Sequence, residues 1–208
     1  MKLLLSVCLA ALALVSLFPS RALACACCAE KGEYYISTEK PDTYKLGLLE
    51  EMKFDDAAEL YMNEAGFDGI KGLKSIEKDY DANDWTATPD FFNLSGVFAA
   101  KTWKLNFKTK TGKTGTLVLP VPAQMLSFKA DLHDTPEDTE VAVYKEWRFK
   151  GVVQSGNGFL GASIVKPTTY FLVLQGRGNN CDNAEDFKYW RLEITGRNAG
   201  YAFFGKLK

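Results

Sequence analysis

Residues 103–121 read WKLNFKTKTGKTGTLVLPV. Trp103, Leu105 and Phe107 alternate with Lys104 and Asn106, the period-two pattern of a strand with one buried and one solvated face. Lys110-Thr111-Gly112-Lys113 supplies turn residues, and residues 116–121 form the returning strand. The same pattern recurs outward from this hairpin. Residues 125–132 alternate, and residues 141–153 are a long β-rich run. Tyr170, Leu172 and Leu174 share one face, and Trp190, Leu192 and Ile194 share another. A glycine- and asparagine-containing turn at residues 196–200 leads into a last strand at 201–207. Strands joined by short turns, with no long helical pattern after residue 90, predict an all-β antiparallel meander closed as a barrel or stacked as a two-sheet sandwich.

Residues 46–62 are less direct. Seven of the nine even positions are apolar, which predicts two strands around a short acidic turn at Asp55-Asp56. Leu, Glu and Met favour helix, but a helix through the whole stretch would carry an aspartate onto the Leu48–Met52 stripe. One short helix is expected near residues 68–79.

The first 24 residues are read as a cleaved secretory signal. Lys2 precedes an apolar run, Pro19 breaks it, and Ala22-Leu23-Ala24 offers a small-x-small cleavage site. The run is too short for a span, and no later stretch is long and apolar enough to cross a membrane. The expectation is an exported protein, periplasmic or extracellular. A lipid anchor at Cys25 is the less favoured alternative, because Arg21 departs from the uncharged approach that lipidation signals use. Residues 25–40 form a cysteine-rich N-terminal segment, and residues 41–208 a single β-rich domain.

The chain has 208 residues, 47% hydrophobic and 13% aromatic, with a formal net charge of -1. That balance gives no reason to expect nucleic acid as a partner. It conceals an asymmetry. Residues 50–90 carry twelve acids against four lysines, whereas residues 91–130 carry six lysines and no acid. Lys101, Lys104, Lys108, Lys110 and Lys113 are candidates for contact with an anionic surface, although a solvated face or a guarded strand edge is the favoured reading.

Chemistry concentrates in Cys25-Ala26-Cys27-Cys28 and the distant Cys181. In an oxidising compartment, a bridge from this cluster to Cys181 would tether the N-terminus to the domain. The alternative is a thiolate site for Cu(I) or Zn(II) built from Cys25, Cys27, Cys28 and Cys181. Asp79, Asp81, Asn83 and Asp90 stand at the spacing of a Ca(II) loop. However, Asp84 occupies the place where such a loop turns on glycine. Gly156-x-Gly158-x-x-Gly161 matches a dinucleotide fingerprint, but β-branched residues and Pro167 follow where a phosphate-binding helix should open, so it is a glycine turn. His133 is the single histidine, and no nucleophile motif accompanies it. A hydrolase built on it is the weakest reading. Asn93-Leu94-Ser95 is a glycosylation sequon. The expected function is therefore a non-enzymatic binding domain for a small apolar ligand or a surface partner, with a disulfide-tethered N-terminus.

Overall fold

The computed structural model describes residues 32–62, 90–131 and 143–208. The one α-helix among the described residues, α1 (Thr43–Glu51), lies where the alternation predicted a strand. Asp42 caps it, its side chain accepting a hydrogen bond from the Lys45 amide at 2.8 Å, which satisfies an otherwise orphaned N–H of the first turn. Leu48, Leu49 and Met52 are buried, spacings of one and four that a helix, not a strand, places on one side. The helix ends at Glu51, so the aspartates that argued against it never reach its apolar stripe. Asp55 and Asp56 belong instead to the start of a strand, β2 (Phe54–Met62). The helix expected near residues 68–79 lies outside the described residues.

Apart from short 3-10 turns at Gly161–Ser163 and Ala184–Asp186, the remaining described elements are strands. β1 (Tyr34–Glu39) comes first, and β3 (Asp90–Phe98), β4 (Thr102–Lys108), β5 (Thr114–Pro120) and β6 (Met125–Asp131) follow β2. Then come β7 (Val143–Val152), β8 (Ser155–Gly158), β9 (Thr169–Gly178), β10 (Phe187–Gly196) and β11 (Ala199–Leu207). They form one antiparallel sheet in the order β1-β6-β7-β9-β10-β11-β2-β3-β4-β5-β8, curled into a half-barrel rather than split into a sandwich.

The curl is drawn together by one bent strand. β7 stands third in the order and β8 last, with only Val153 and Gln154 between them in the chain. The handover occurs there: the Val153 amide donates to Thr168 on the β9 side, and the next amide, Gln154, donates to Val118 on β5. Two glycines make the seam possible. Gly158 has φ +61°, and a Cβ there would lie 1.9 Å from the Thr114 carbonyl oxygen. A Cβ at Gly115 would meet the Phe159 ring at 2.8 Å. The Gly156–Gly161 motif is thus the seam strand and a single 3-10 turn at Gly161–Ser163, not the opening of a phosphate-binding helix.

The inner face is filled by side chains. Trp103, Leu105 and Phe107 of β4 point inward, as do Trp147 and Phe149 of β7 and Trp190, Leu192 and Ile194 of β10. Trp103 meets Phe149 edge-on at 5.0 Å and Phe98 at 5.4 Å, and Phe107 stacks on Phe203 at 4.0 Å. The indole N–H groups of Trp103, Trp147 and Trp190 have no hydrogen-bond partner among the described residues, so ring packing holds them. Tyr170 is buried among them and its hydroxyl donates to the Pro120 carbonyl; burial pushes its phenol well above the usual tyrosine range.

Candidate functional site

Two regions carry polar or exposed apolar groups that the core does not account for. The first is the outer face beside β1. Registry places Tyr34, Ile36 and Thr38 of β1 alongside Ala130, Phe128 and Leu126 of β6, and those alongside Tyr144, Glu146 and Arg148 of β7. All these side chains face outward, because the alternate positions Lys145, Trp147 and Phe149 are buried on the inner face. Tyr34 is 70% and Ile36 60% exposed. Phe128 packs edge-on against Tyr144 at 6.1 Å, and the Arg148 guanidinium lies 5.8 Å from the Phe128 ring centre. Glu146 pairs with Arg148 and accepts from the Tyr144 hydroxyl. Partial burial, and then this carboxylate, raise the Tyr144 phenol out of the usual range. The result is a patch of aromatic rings with its charges already positioned, the composition that interface centres favour.

The second region is the loop at residues 179–186, which holds Cys181. Lys145 is fully buried, and its ammonium donates to the Cys181 carbonyl and pairs with Asp186. Lys129, its neighbour across the β6–β7 ladder, donates to the Asn180 carbonyl at 2.6 Å and pairs with Asp182 at 2.8 Å. The Tyr44 hydroxyl of α1 donates to the Asp182 carbonyl at 2.7 Å. Gly176 and Gly178 make room, since a Cβ at Gly176 would lie 1.8 Å from the Asp186 carbonyl oxygen. Two lysines, one helix and two glycines thus pin this loop onto the end of the inner face. Cys181 engages another group of the protein and is the one cysteine among the described residues, so no disulfide joins two described residues.

Beside this loop lies a solvent-open groove of about 370 Å³, lined by Leu48, Glu51, Met52, Asn183, Ala184, Glu185 and Lys208. Its rim carries both charge signs and it sits outside the aromatic core.

Other predicted residues are dispersed. Cys25, Cys27, Cys28, Asp79, Asp81, Asn83 and His133 lie outside the described residues. Asp90 begins β3 and pairs in register with Leu60. No cluster of three His, Cys, Asp or Glu side chains suited to a metal occurs among the described residues. The five lysines do not form one patch. Lys104 and Lys108 face outward on β4, Lys110 and Lys113 sit near the β4–β5 turn, and Lys101 is at the opposite end of β4. Lys110 and Lys113 each engage another group of the protein. Asn93 of the sequon is exposed between buried Phe92 and Leu94.

The Lys145–Asp186 pair and the β1 patch were missed from sequence. The signal for the first was a lysine at an inward position of the series Val143, Lys145, Trp147, Phe149. The second is hidden because residues 34–39 fall within the cysteine-rich segment 25–40, which the sequence pattern sets apart from the sheet. Among the described residues, no helix is long and apolar enough to cross a membrane. Compared with protein-family models, curated proteins and solved structures, the chain matches none.

Proposed function

We propose that this chain is an exported, non-enzymatic binding domain that engages a surface partner through the outer face around β1, with its N-terminal segment tethered at Cys181. The observation that carries the reading is the patch of Tyr34, Ile36, Phe128 and Tyr144 with Arg148 beside it. Exposed apolar clusters of this kind mark interaction sites. The filled inner face argues for a partner at the surface over a small apolar ligand held inside. Export rests on the layout of residues 1–24.

Chain geometry supports the tether. Tyr34, Ala130, Tyr144 and Arg177 form one row across β1, β6, β7 and β9, so β1 begins at the end of the sheet from which the Cys181 loop leaves. Three strand spacings amount to about 14 Å. The six residues from Cys28 to Tyr34 can span up to about 20 Å, enough for the cysteine cluster to reach Cys181. A bridge between Cys181 and one cysteine of the cluster would remove both as thiolate ligands, so a Cu(I) or Zn(II) site would depend on the two of Cys25, Cys27 and Cys28 left over.

A photo-crosslinking side chain placed at Ile36 of the exported protein tests the binding face. One discrete adduct, absent when the same group replaces Lys104, is the expected result. No adduct at Ile36, or equal adducts at both positions, would contradict the reading.

A further inference from the structure

In the described sheet β1 is an edge strand, and among the described residues no strand pairs with its outer side. The Asp131 amide donates to the Glu33 carbonyl, which fixes the alternation of the ladder. Glu33, Tyr35, Ser37 and Glu39 turn their backbone groups toward β6, while Tyr34, Ile36, Thr38 and Lys40 turn theirs outward. Edge strands are normally blunted by proline, by lysines within the strand, by bulges or by shortness. β1 has six residues, YYISTE, with none of these devices, and its pairing with β6 runs without a register shift. Tyr34 and Ile36 present both their outward backbone groups and their exposed side chains at this edge.

We propose that a second copy of this chain pairs with β1, antiparallel and edge to edge, around a two-fold axis at Ser37. This rests on the binding face assigned above and names its occupant. A two-fold axis normal to the sheet brings the same strand against itself, so the outer patches of the two copies meet side by side across the new strand pair.

Charge selects the register. With Ile36 opposite Ile36, Glu33 would face Glu39 of the other copy, and like charges directly opposite destabilise a strand pair. A shift toward the N-terminus runs into Gly32, whose φ of +74° ends the extended backbone. With Ser37 opposite Ser37, Ile36 faces Thr38, Tyr35 faces Glu39 and Tyr34 faces Lys40. A hydroxyl-bearing ring then meets a carboxylate, a second ring meets an ammonium, and no like charges oppose. Lys40, just beyond β1, thereby becomes part of the interface.

Cysteine scanning of the full exported chain tests the register. Ser37→Cys places two sulfurs at a non-hydrogen-bonded antiparallel pair, within disulfide distance. It is expected to oxidise to a covalent dimer, identified by the mass of a peptide in which position 37 of one copy is bridged to position 37 of the other. Ile36→Cys puts the two Cα atoms about 8 Å apart and should not link. Sedimentation of the unmodified protein should give a dimer. Thr38→Pro should give a folded monomer, because it removes only an N–H that faces the open edge. A wild-type protein that stays monomeric, or Ile36→Cys linking as readily as Ser37→Cys, would overturn the proposal. If the Ile36 crosslinker instead yields an adduct whose mass is not twice the chain, self-pairing fails while the binding face stands.

Discussion

β8 and β1 end the same sheet and treat their edges in opposite ways. β8 is four residues, Ser155–Gly158, two of them glycine, and it is the continuation of β7. Its backbone is spent on β5, and its glycines exist to let Thr114 and Ile164 come close. β1 is longer, carries Tyr-Tyr-Ile, and leaves its outer side without a strand neighbour in the described sheet. The contrast separates two jobs. Residues near the seam and the inner face hold the fold, and residues on β1 carry the proposed recognition. Substitutions should therefore divide cleanly by region.

The largest effects are expected on the seam side and in the core. Trp103→Ala removes a fully buried ring that touches Phe98, Phe149 and Tyr170, and should cost about 3–5 kcal/mol in denaturant unfolding. Lys145→Ala leaves Asp186 and the Cys181 carbonyl without their buried cation. It should cost about 3–5 kcal/mol, and more than the double variant Lys145→Ala/Asp186→Ala. If the single variant is neutral, the clamp on the 179–186 loop is not structural.

The glycines sharpen the comparison. Gly158 and Gly32 both have positive φ, so alanine adds backbone strain of about 1–2 kcal/mol at each. At Gly32 a Cβ meets nothing within 4 Å, whereas at Gly158 it collides with Thr114 backbone. Gly158→Ala should therefore lower the melting temperature well beyond Gly32→Ala; equal shifts would mean the seam can open without cost.

Much of this division was legible in the alternation of residues 103–121 and 187–207, because an apolar/polar period of two survives any detail of how the sheet curls. The seam was not legible. It depends on which strands meet after the chain bends at Val153 and Gln154, and no local pattern encodes that. The α1 segment misleads because the spacing of four between Leu48 and Met52 satisfies both periods; Asp42 as a cap is the deciding signal. The candidate site was the least visible part. Cys181 stood out, yet what positions it is a lysine hidden in a hydrophobic run. Tyr34 and Ile36 acquire meaning only once β1 is known to lie at an edge.

The smallest effect concerns pH at the start of β2. The Asp56 amide, and then Lys208 at 3.3 Å, hold the Asp55 carboxyl below its ordinary 3.8. A depressed carboxyl contributes stability above its unfolded value and loses it as the pH falls through the folded one. Lys208→Met should slightly reduce stability at neutral pH and flatten its decline below about pH 4, measured by thermal melts across that range. Exposed pairs contribute little, so a large change there would point to a role for Lys208 beyond this pair.

Amide hydrogen exchange resolved by residue tests the contrast between the two edges most directly. At the seam, the Gln154 and Phe159 amides should be protected at every protein concentration, since they donate to Val118 and Thr114. In β1, dilute protein should show Tyr35, Ser37 and Glu39 slow against Tyr34, Ile36 and Thr38 fast. The fast set should slow as concentration rises and the second copy docks. Protection of Tyr34, Ile36 and Thr38 that is already complete in dilute protein, or rapid exchange at Gln154, would contradict the account.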